Sequence, residues 1–235
     1  MKYKAILFDL DGTLLPQDQE EFVKYYFNTI SARLAPLGYE PERLIKTIWQ
    51  GTGAMIQNNG VMSNEQVFWD VFLKEFGSVA EADMAQFDEY YKTDFNLVKE
   101  VCGFDEAVPK AIRHLKDDGY RLVIATNPIF PEVAIKSRIS WAGLDCNDFE
   151  FITTYENSYY CKPNPKYYQS ILETIGLAAE DCMMVGNDVS DDMVAENIGM
   201  DTFLITRNLI NKYNAEISRY QSGDFDDLIE FLNET

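Results

Sequence analysis

Positive charge is what this 235-residue chain has least of: 20 Lys and Arg stand against 39 Asp and Glu, with one histidine, for a formal charge of −19 at pH 7. A nucleic-acid binder that relies on bulk positive charge is therefore excluded. Long apolar runs are also missing. The opening stretch Ala5-Ile6-Leu7-Phe8 is stopped by Asp9, and nothing approaches the roughly 20 apolar residues that cross a bilayer. The chain reads as neither membrane-spanning nor secreted. Cysteine is sparse: Cys102, Cys146, Cys161 and Cys182 are scattered without a C-x-x-C pair. That argues against a disulfide framework or a zinc site and for buried, reduced thiols in a cytoplasmic protein. What is present is apolar material, 46% hydrophobic and 14% aromatic, which excludes global disorder. At this length it fits one large domain or two smaller ones. An acidic surface repels phosphate-bearing molecules, so a phosphate site here has to bring local cations, and a metal is the natural expectation.

The apolar segments alternate between two periods. Residues 3–10 form a short apolar run closed by an Asp-Gly turn, and similar runs follow at 121–126, 149–154, 182–186 and 202–206, separated by amphipathic stretches of helical spacing. Strand alternating with helix predicts an α/β fold, a doubly wound parallel sheet. Between the first two strands lie about 85 residues with no strand signal, from Pro16 to Glu100. Phe22, Tyr25, Tyr26 and Ile30 mark a first helix there; Leu44, Ile45, Ile48 and Trp49, after Pro41, a second; Val67, Phe68, Val71, Phe72 and Phe76 a third; and Met84, Phe87, Tyr90, Tyr91 and Phe95 a fourth. A crossover needs one helix, so the rest is an inserted helical bundle. The expected organisation is an α/β core of residues 1–15 and 101–235 with a helical cap at 16–100. A helix over 224–233 docks on the sheet.

In an open parallel sheet, ligands bind beyond the carboxyl ends of the strands. Strand one ends in Asp9-Leu10-Asp11-Gly12-Thr13, strand two in Thr126-Asn127, and strand four in Gly186-Asn187-Asp188-Val189-Ser190-Asp191-Asp192, while Cys161-Lys162-Pro163-Asn164-Pro165 precedes a helix after strand three. Carboxylates gathered this way repel one another unless a cation sits among them. Oxygen donors from Asp side chains and a backbone carbonyl suit Mg²⁺, which keeps waters and accepts a phosphate oxygen. Lys162 adds a fixed positive charge, and Thr126 and Asn127 offer hydrogen bonds to a phosphoryl group. Each piece alone is common in turns and helix starts; the joint order at strand ends is the specific signal.

With those pieces the chain resembles the haloacid dehalogenase-like (HAD) hydrolase superfamily. Phe8-Asp9-Leu10-Asp11-Gly12-Thr13-Leu14 is similar to its first motif, Thr126 to its second, Lys162 to its third and Gly186 to Asp192 to its acidic fourth. The insertion sits where the family's first class of helical cap sits. The resemblance implies a Rossmann-like core and phosphoryl transfer through an aspartyl-phosphate, with Asp9 as nucleophile and Asp11 as general acid and base. It implies Thr126 and Lys162 as further catalytic residues, Thr126, Asn127 and Lys162 as binding the phosphoryl group, and Asp9, Asp188 and the Asp11 carbonyl as holding Mg²⁺. Family members that cleave carbon–halogen or carbon–phosphorus bonds differ at the position of Asp11, so phosphate esters are the expected substrates. One departure is Asn187, which follows Gly186 where the family usually has Asp. Asp188 then supplies the metal carboxylate and Asp192, one helical turn on, stands behind it holding water or Lys162. Asn187 stands behind the ligands with Asp192; Asn187 as the ligand itself, and Asp191 in place of Asp192, are the alternatives.

The reading is a phosphatase of a small phosphorylated metabolite, monomeric or a weak homodimer, with no nucleic-acid or membrane partner. A sugar-phosphate mutase, a receiver-like phosphoacceptor and a dead scaffold are its rivals. The cap says little about substrate. Its seven Lys and Arg against fourteen Asp and Glu argue weakly against a polyanion. Gly51-Thr52-Gly53 is a candidate specificity loop or a helix break, with Gln57 or Asn58 as donors to a hydroxylated leaving group. His114 has no role, Tyr159 and Tyr160 pack, and Arg207 is a surface residue.

Overall fold

The computed structural model describes residues 2–234. Six parallel strands form one sheet: β1 (Ala5–Phe8), β2 (Arg121–Ile124), β3 (Phe151–Ile152), β4 (Cys182–Gly186), β5 (Asp201–Ile205) and β6 (Gln221–Gly223), in the order β3-β2-β1-β4-β5-β6. β1 is central, paired with β2 through Phe8↔Ile124 and with β4 through Phe8↔Val185. That register sets the residues following Phe8, Ile124 and Val185 level with one another. Alternate residues of β1 serve opposite faces. Ile6 and Phe8 join the core under α5 (Ala107–Asp117), α6 (Glu132–Trp141) and α8 (Phe225–Asn233), while Ala5 and Leu7 pack with α7 (Pro165–Ile175).

The long insertion is helical: α1 (Gln19–Leu34), α2 (Pro41–Ile56), α3 (Asn64–Phe76) and α4 (Ser78–Lys92), followed by a 3₁₀ stretch Asp94–Val101. Asp18 caps α1 by accepting from the Glu21 amide at 2.9 Å, Pro41 opens α2, and Ser63 with Gln66 forms a capping box on α3. Phe22 and Tyr26 of α1 meet Phe95 and Phe130 edge to face, so these helices share a core with one face of the sheet. The N-terminus of α3 is tied to the loops around the strand ends. The buried Asn64 donates to the Pro128 carbonyl at 3.0 Å, and the Asn64 and Glu65 amides donate to Ser158 and Tyr155 at 2.8 Å each.

The sequence misleads at a few points. The third strand is two residues rather than 149–154, and β6, reading Gln-Ser-Gly, has no apolar signal because it lies on the sheet edge. The Gly51-Thr52-Gly53 segment is neither a loop nor a break, since α2 runs through it. Gly51 is there because a Cβ would lie 2.5 Å from the Phe68 ring of α3. Asn58 donates to the Met62 carbonyl and Asn64 Oδ1 and accepts from the Gly60 amide, so both its N–H donors are spent within the loop. His114 pairs with Asp118 on α5, Arg207 with Asp105 at the surface, and all four cysteines are free thiols. Among the described residues no helix is long and apolar enough to cross a membrane.

Candidate active site

Asp9 follows β1 in the centre of the sheet, its amide donating to the Val185 carbonyl of β4 at 2.9 Å, and Ala125, which precedes Thr126, donates to the Phe8 carbonyl at 2.7 Å. Strand pairing alone thus delivers Asp9, Thr126 and the residues after Gly186 to one edge. Gly12 turns the chain away at φ +85°, and a Cβ there would strike Asn187 at 2.4 Å. Gly186 is equally constrained: its Cβ would lie 2.1 Å from Asp192 Oδ2.

Lys162 reaches in from the turn before α7, where Asn164 caps the helix and Pro165 opens it. Its Nζ donates to Asp9 Oδ1 at 2.8 Å and to Asp192 Oδ1 at 2.6 Å, and it is 2% exposed. Burial works against the Lys162 charge, but the carboxylates of Asp192 and then Asp9 outweigh it and hold its pKa well above the usual value. Burial pushes the Asp9 carboxyl up to about 7, opposed by Lys162 and reinforced by Asp192 and Asp11. Burial likewise raises Asp192 and, with the field of Asp188, Asp191.

The acidic turn after β4 is organised by its own backbone. Asp188 Oδ1 accepts from the Ser190 amide at 2.8 Å, the Ser190 hydroxyl at 2.6 Å and the Asp191 amide at 3.1 Å; Oδ2 is approached by Lys212 at 3.6 Å. Asp192 Oδ2 accepts from the Asp188 amide at 2.9 Å, so Asp192 spans Lys162 and the turn. Lys162 is bonded to Asp192 and not to Asp191. Both ends of the Asn187 amide are used: Oδ1 lies 2.9 Å from Thr13 Oγ1, and Nδ2 donates to the Asn208 carbonyl at 2.7 Å. Asn187 is thereby a brace between strand ends. Thr13 Oγ1 also lies 3.2 Å from Asp9 Oδ2.

One side chain was missed from the sequence. Arg138 on α6 is 1% exposed and ion-paired with Asp11 Oδ2, its guanidinium 4.5 Å from the Phe130 ring centre and 5.8 Å from that of Phe22. Asp11 Oδ1, Arg138 Nη2 and Asn127 Oδ1 are buried without a partner. The available signal was a cation on the apolar stripe of a helix, between the buried Ile135 and Ile139.

Asp9, Asp11, Thr126, Asn127, Lys162, Asn187, Asp188 and Asp192 all line one cavity of about 520 Å³, which continues beneath α1 to α4. The Thr126 carbonyl is fixed by Tyr167 at 2.7 Å and Thr153 at 2.8 Å. The arrangement supplies a buried carboxylate against a fixed ammonium, a second carboxyl two residues away, and side chains from three strand ends around a shared space.

Residues 3–199 match the family model of the haloacid dehalogenase-like hydrolases. The chain is 26% identical over 210 residues to pyrophosphatase PpaX of Bacillus cereus, covering 89% of this chain and 86% of that protein. It is 25% identical over 217 residues to a phosphoglycolate phosphatase of Colwellia psychrerythraea, covering 92% and 89%. Among solved structures, a 2-haloacid dehalogenase from Pseudomonas syringae superposes with a TM-score of 0.66 at 18% identity, over 99% of each chain.

Proposed function

The chain belongs to the haloacid dehalogenase-like hydrolases, and from that membership we propose that it is a Mg²⁺-dependent phosphatase cleaving a small phosphorylated metabolite through a phosphoaspartate on Asp9. The observation that carries the reading is the buried Lys162 ammonium, 2.8 Å from Asp9 and 2.6 Å from Asp192, at the base of a cavity that Thr126 and Asn127 also line. Two carboxylates sharing one buried cation at a cavity base are suited to meet an electrophile that brings its own negative charge and a counter-ion.

In the reaction, an Asp9 carboxylate oxygen bonds to phosphorus as the phosphorus–oxygen bond to the leaving group breaks. Asp11 gives its proton to the departing oxygen, then takes one from the water that attacks the phosphoaspartate, releasing phosphate and restoring both side chains. Arg138 grips Asp11 Oδ2 and leaves Oδ1 unpartnered, so Arg138 is a positioning residue that aims Oδ1 at the leaving oxygen. Lys162 and Thr126 hold the phosphoryl oxygens. Residues 16–100 form the cap that covers the leaving group, and residues 1–15 and 101–235 the catalytic core.

The donors suit a hard divalent ion. Asp188 Oδ1 is saturated while Oδ2 meets only the distant Lys212, and Asp9 Oδ2 has a single long contact from Thr13. Among the described residues no three His, Cys, Asp or Glu side chains gather to hold a metal. The set we propose is Asp9, Asp188 and the Asp11 carbonyl, as the family resemblance implies, completed by water and phosphate, as Mg²⁺ favours. When bound, the ion offsets the charge gathered among the carboxylates and polarises a phosphoryl oxygen.

The test is phosphate release from 4-nitrophenyl phosphate with Mg²⁺. Turnover is expected to stop on chelation and to fall roughly 10⁴-fold or more in Asp9→Asn. Undiminished turnover in Asp9→Asn, or isomerisation of hexose 1-phosphates without free phosphate, would overturn the reading.

A further inference from the structure

The cavity that holds Asp9 changes character along its length. Its base is the polar strand-end cluster; its far wall, between α1, α2, α3 and α4, is made by Phe27, Trp49, Phe68, Trp69, Tyr91 and Tyr155. The rings are close-packed, with Phe27 and Trp49 centred 5.4 Å apart and Phe68 and Trp69 5.6 Å apart. Lys162 and Arg138 are the only cations among the described residues lining it, and both sit at the base. Lys162 is shared by Asp9 and Asp192, and the charge of Arg138 is balanced by Asp11. Asp18, Glu20 and Asp88 line the same space.

A leaving group bearing a carboxylate or a second phosphate would lie there beside rings and acids with no free counter-charge, an unfavourable place for an anion. A flat uncharged group would instead gain apolar contact and ring stacking. Resting on the phosphatase reading, we infer that the substrate is a phosphate monoester whose leaving alcohol is uncharged and carries a planar uncharged ring, with the phosphate on the Asp9 base and the ring against the aromatic wall. Such a ring is supplied by a benzyl-type alcohol or by the base of a nucleoside. Pyrophosphate and phosphoglycolate leave as anions and fit poorly.

The experiment compares kcat/KM of the full-length protein with Mg²⁺ on benzyl phosphate, nucleoside 5′-monophosphates, ethyl phosphate, phosphoglycolate and pyrophosphate. Benzyl, ethyl and glycolyl leaving oxygens are all ordinary alcohols, so differences among them report contacts rather than leaving-group reactivity. The ring-bearing esters are expected to exceed ethyl phosphate and phosphoglycolate by roughly 10- to 100-fold, and the faster of the two ring classes identifies the source. Trp49 is 52% exposed, so Trp49→Ala should fold; it should lower kcat/KM for the preferred ring-bearing ester roughly 10-fold more than for ethyl phosphate. Phosphoglycolate or pyrophosphate outpacing the ring-bearing esters, or an equal loss on both esters in Trp49→Ala, would overturn the inference while leaving the phosphatase standing. Inactivity on every ester, 4-nitrophenyl phosphate included, would overturn the parent reading instead.

Discussion

At the sheet end of the cavity, Asp9, Lys162, Asp188 and Asp192 are tied to one another or to backbone amides at hydrogen-bond distance, whereas at the helical end the walls are rings that meet edge to face, such as Trp69 and Phe87 at 5.4 Å. The polar base is directional, and removing any one member leaves another buried without its partner. The aromatic wall is non-directional and tolerates substitution in proportion to the volume changed. On the proposed reading, reactivity is concentrated where packing is least forgiving, and selectivity where it is most adjustable.

The sharpest way to break this contrast is Lys162→Met. Two buried carboxylates lose their shared cation, and turnover should fall by at least roughly 10³-fold, with about 3 kcal/mol lost in stability at neutral pH. The pH dependence has a definite sign. Burial holds the Asp9 carboxyl at about 7 and raises Asp192 even with Lys162 present, and without it both rise further. A carboxyl with a raised folded-state pKa binds protons more tightly in the folded protein, so the deficit shrinks as pH falls from above 7 toward the ordinary carboxylate range. Metal-free denaturant melts of the variant and the parent at pH 5 and pH 8 measure it. A deficit independent of pH would mean that the carboxylates are not the cause.

Next in size is Asp188→Ala. The fold of the turn depends on Asp188 Oδ1, which accepts from Ser190 and Asp191, and Oδ2 is the oxygen we propose for the ion. The Mg²⁺ concentration for half-maximal rate should rise roughly 10- to 100-fold. An unchanged requirement would remove Asp188 from the metal site. Arg138→Lys is smaller and more specific. It keeps the charge but loses the Nη1 that holds Asp11 Oδ2 and the flat guanidinium that sits over the Phe130 ring. For an alkyl phosphate kcat should fall roughly 10-fold. For 4-nitrophenyl phosphate, whose leaving oxygen needs no proton, the pre-steady-state burst that reports phosphorylation of Asp9 should hardly change. Equal losses on both substrates would make Arg138 merely structural.

The same contrast separates what the sequence discloses from what it conceals. The base was legible because its chemistry lies in short polar clusters immediately after apolar strands, and parallel pairing of β1 with β2 and β4 leaves those clusters one place to go. Arg138 was not, because a lone arginine in a ten-residue helix carries no motif, and its partner Asp11 lies 127 residues away. The role of Asn187 was hidden too, since its two partners, Thr13 and Asn208, come from separate loops. The aromatic stripes of α1 to α4 were visible as apolar periodicity. Periodicity, however, does not distinguish a ring filling the core, such as the fully buried Phe72, from one facing a cavity, such as Trp49.

Gly51→Ala tests the helical end by volume alone. The added methyl would come 2.5 Å from a Phe68 ring that is held by Trp69 and Phe72, with ring centres 5.6 and 5.7 Å away. Overpacking of this kind costs about 1–3 kcal/mol. A thermal melt should show the loss, while the rate on ethyl phosphate, which does not reach the wall, stays within a factor of two of the parent, roughly 0.4 kcal/mol.

The smallest expected effect falls on the polar contact within the aromatic wall, where the Tyr26 and Tyr91 hydroxyls meet at 2.8 Å. Burial raises the pKa of both hydroxyls above the usual range, so neither ionises near neutrality. Tyr91→Phe deletes one hydroxyl and keeps the ring. The loss should be about 1 kcal/mol, the net worth of one neutral hydrogen bond, and independent of pH between 5 and 9 because no charge is exposed or buried by the change. The contrast with Lys162→Met is then complete within one cavity: a polar deletion at the base that is severe and titrates, and one at the wall that is mild and does not. A Tyr91→Phe deficit that grew with pH would show that the wall carries charge, and the division between a reactive base and a neutral wall would fail.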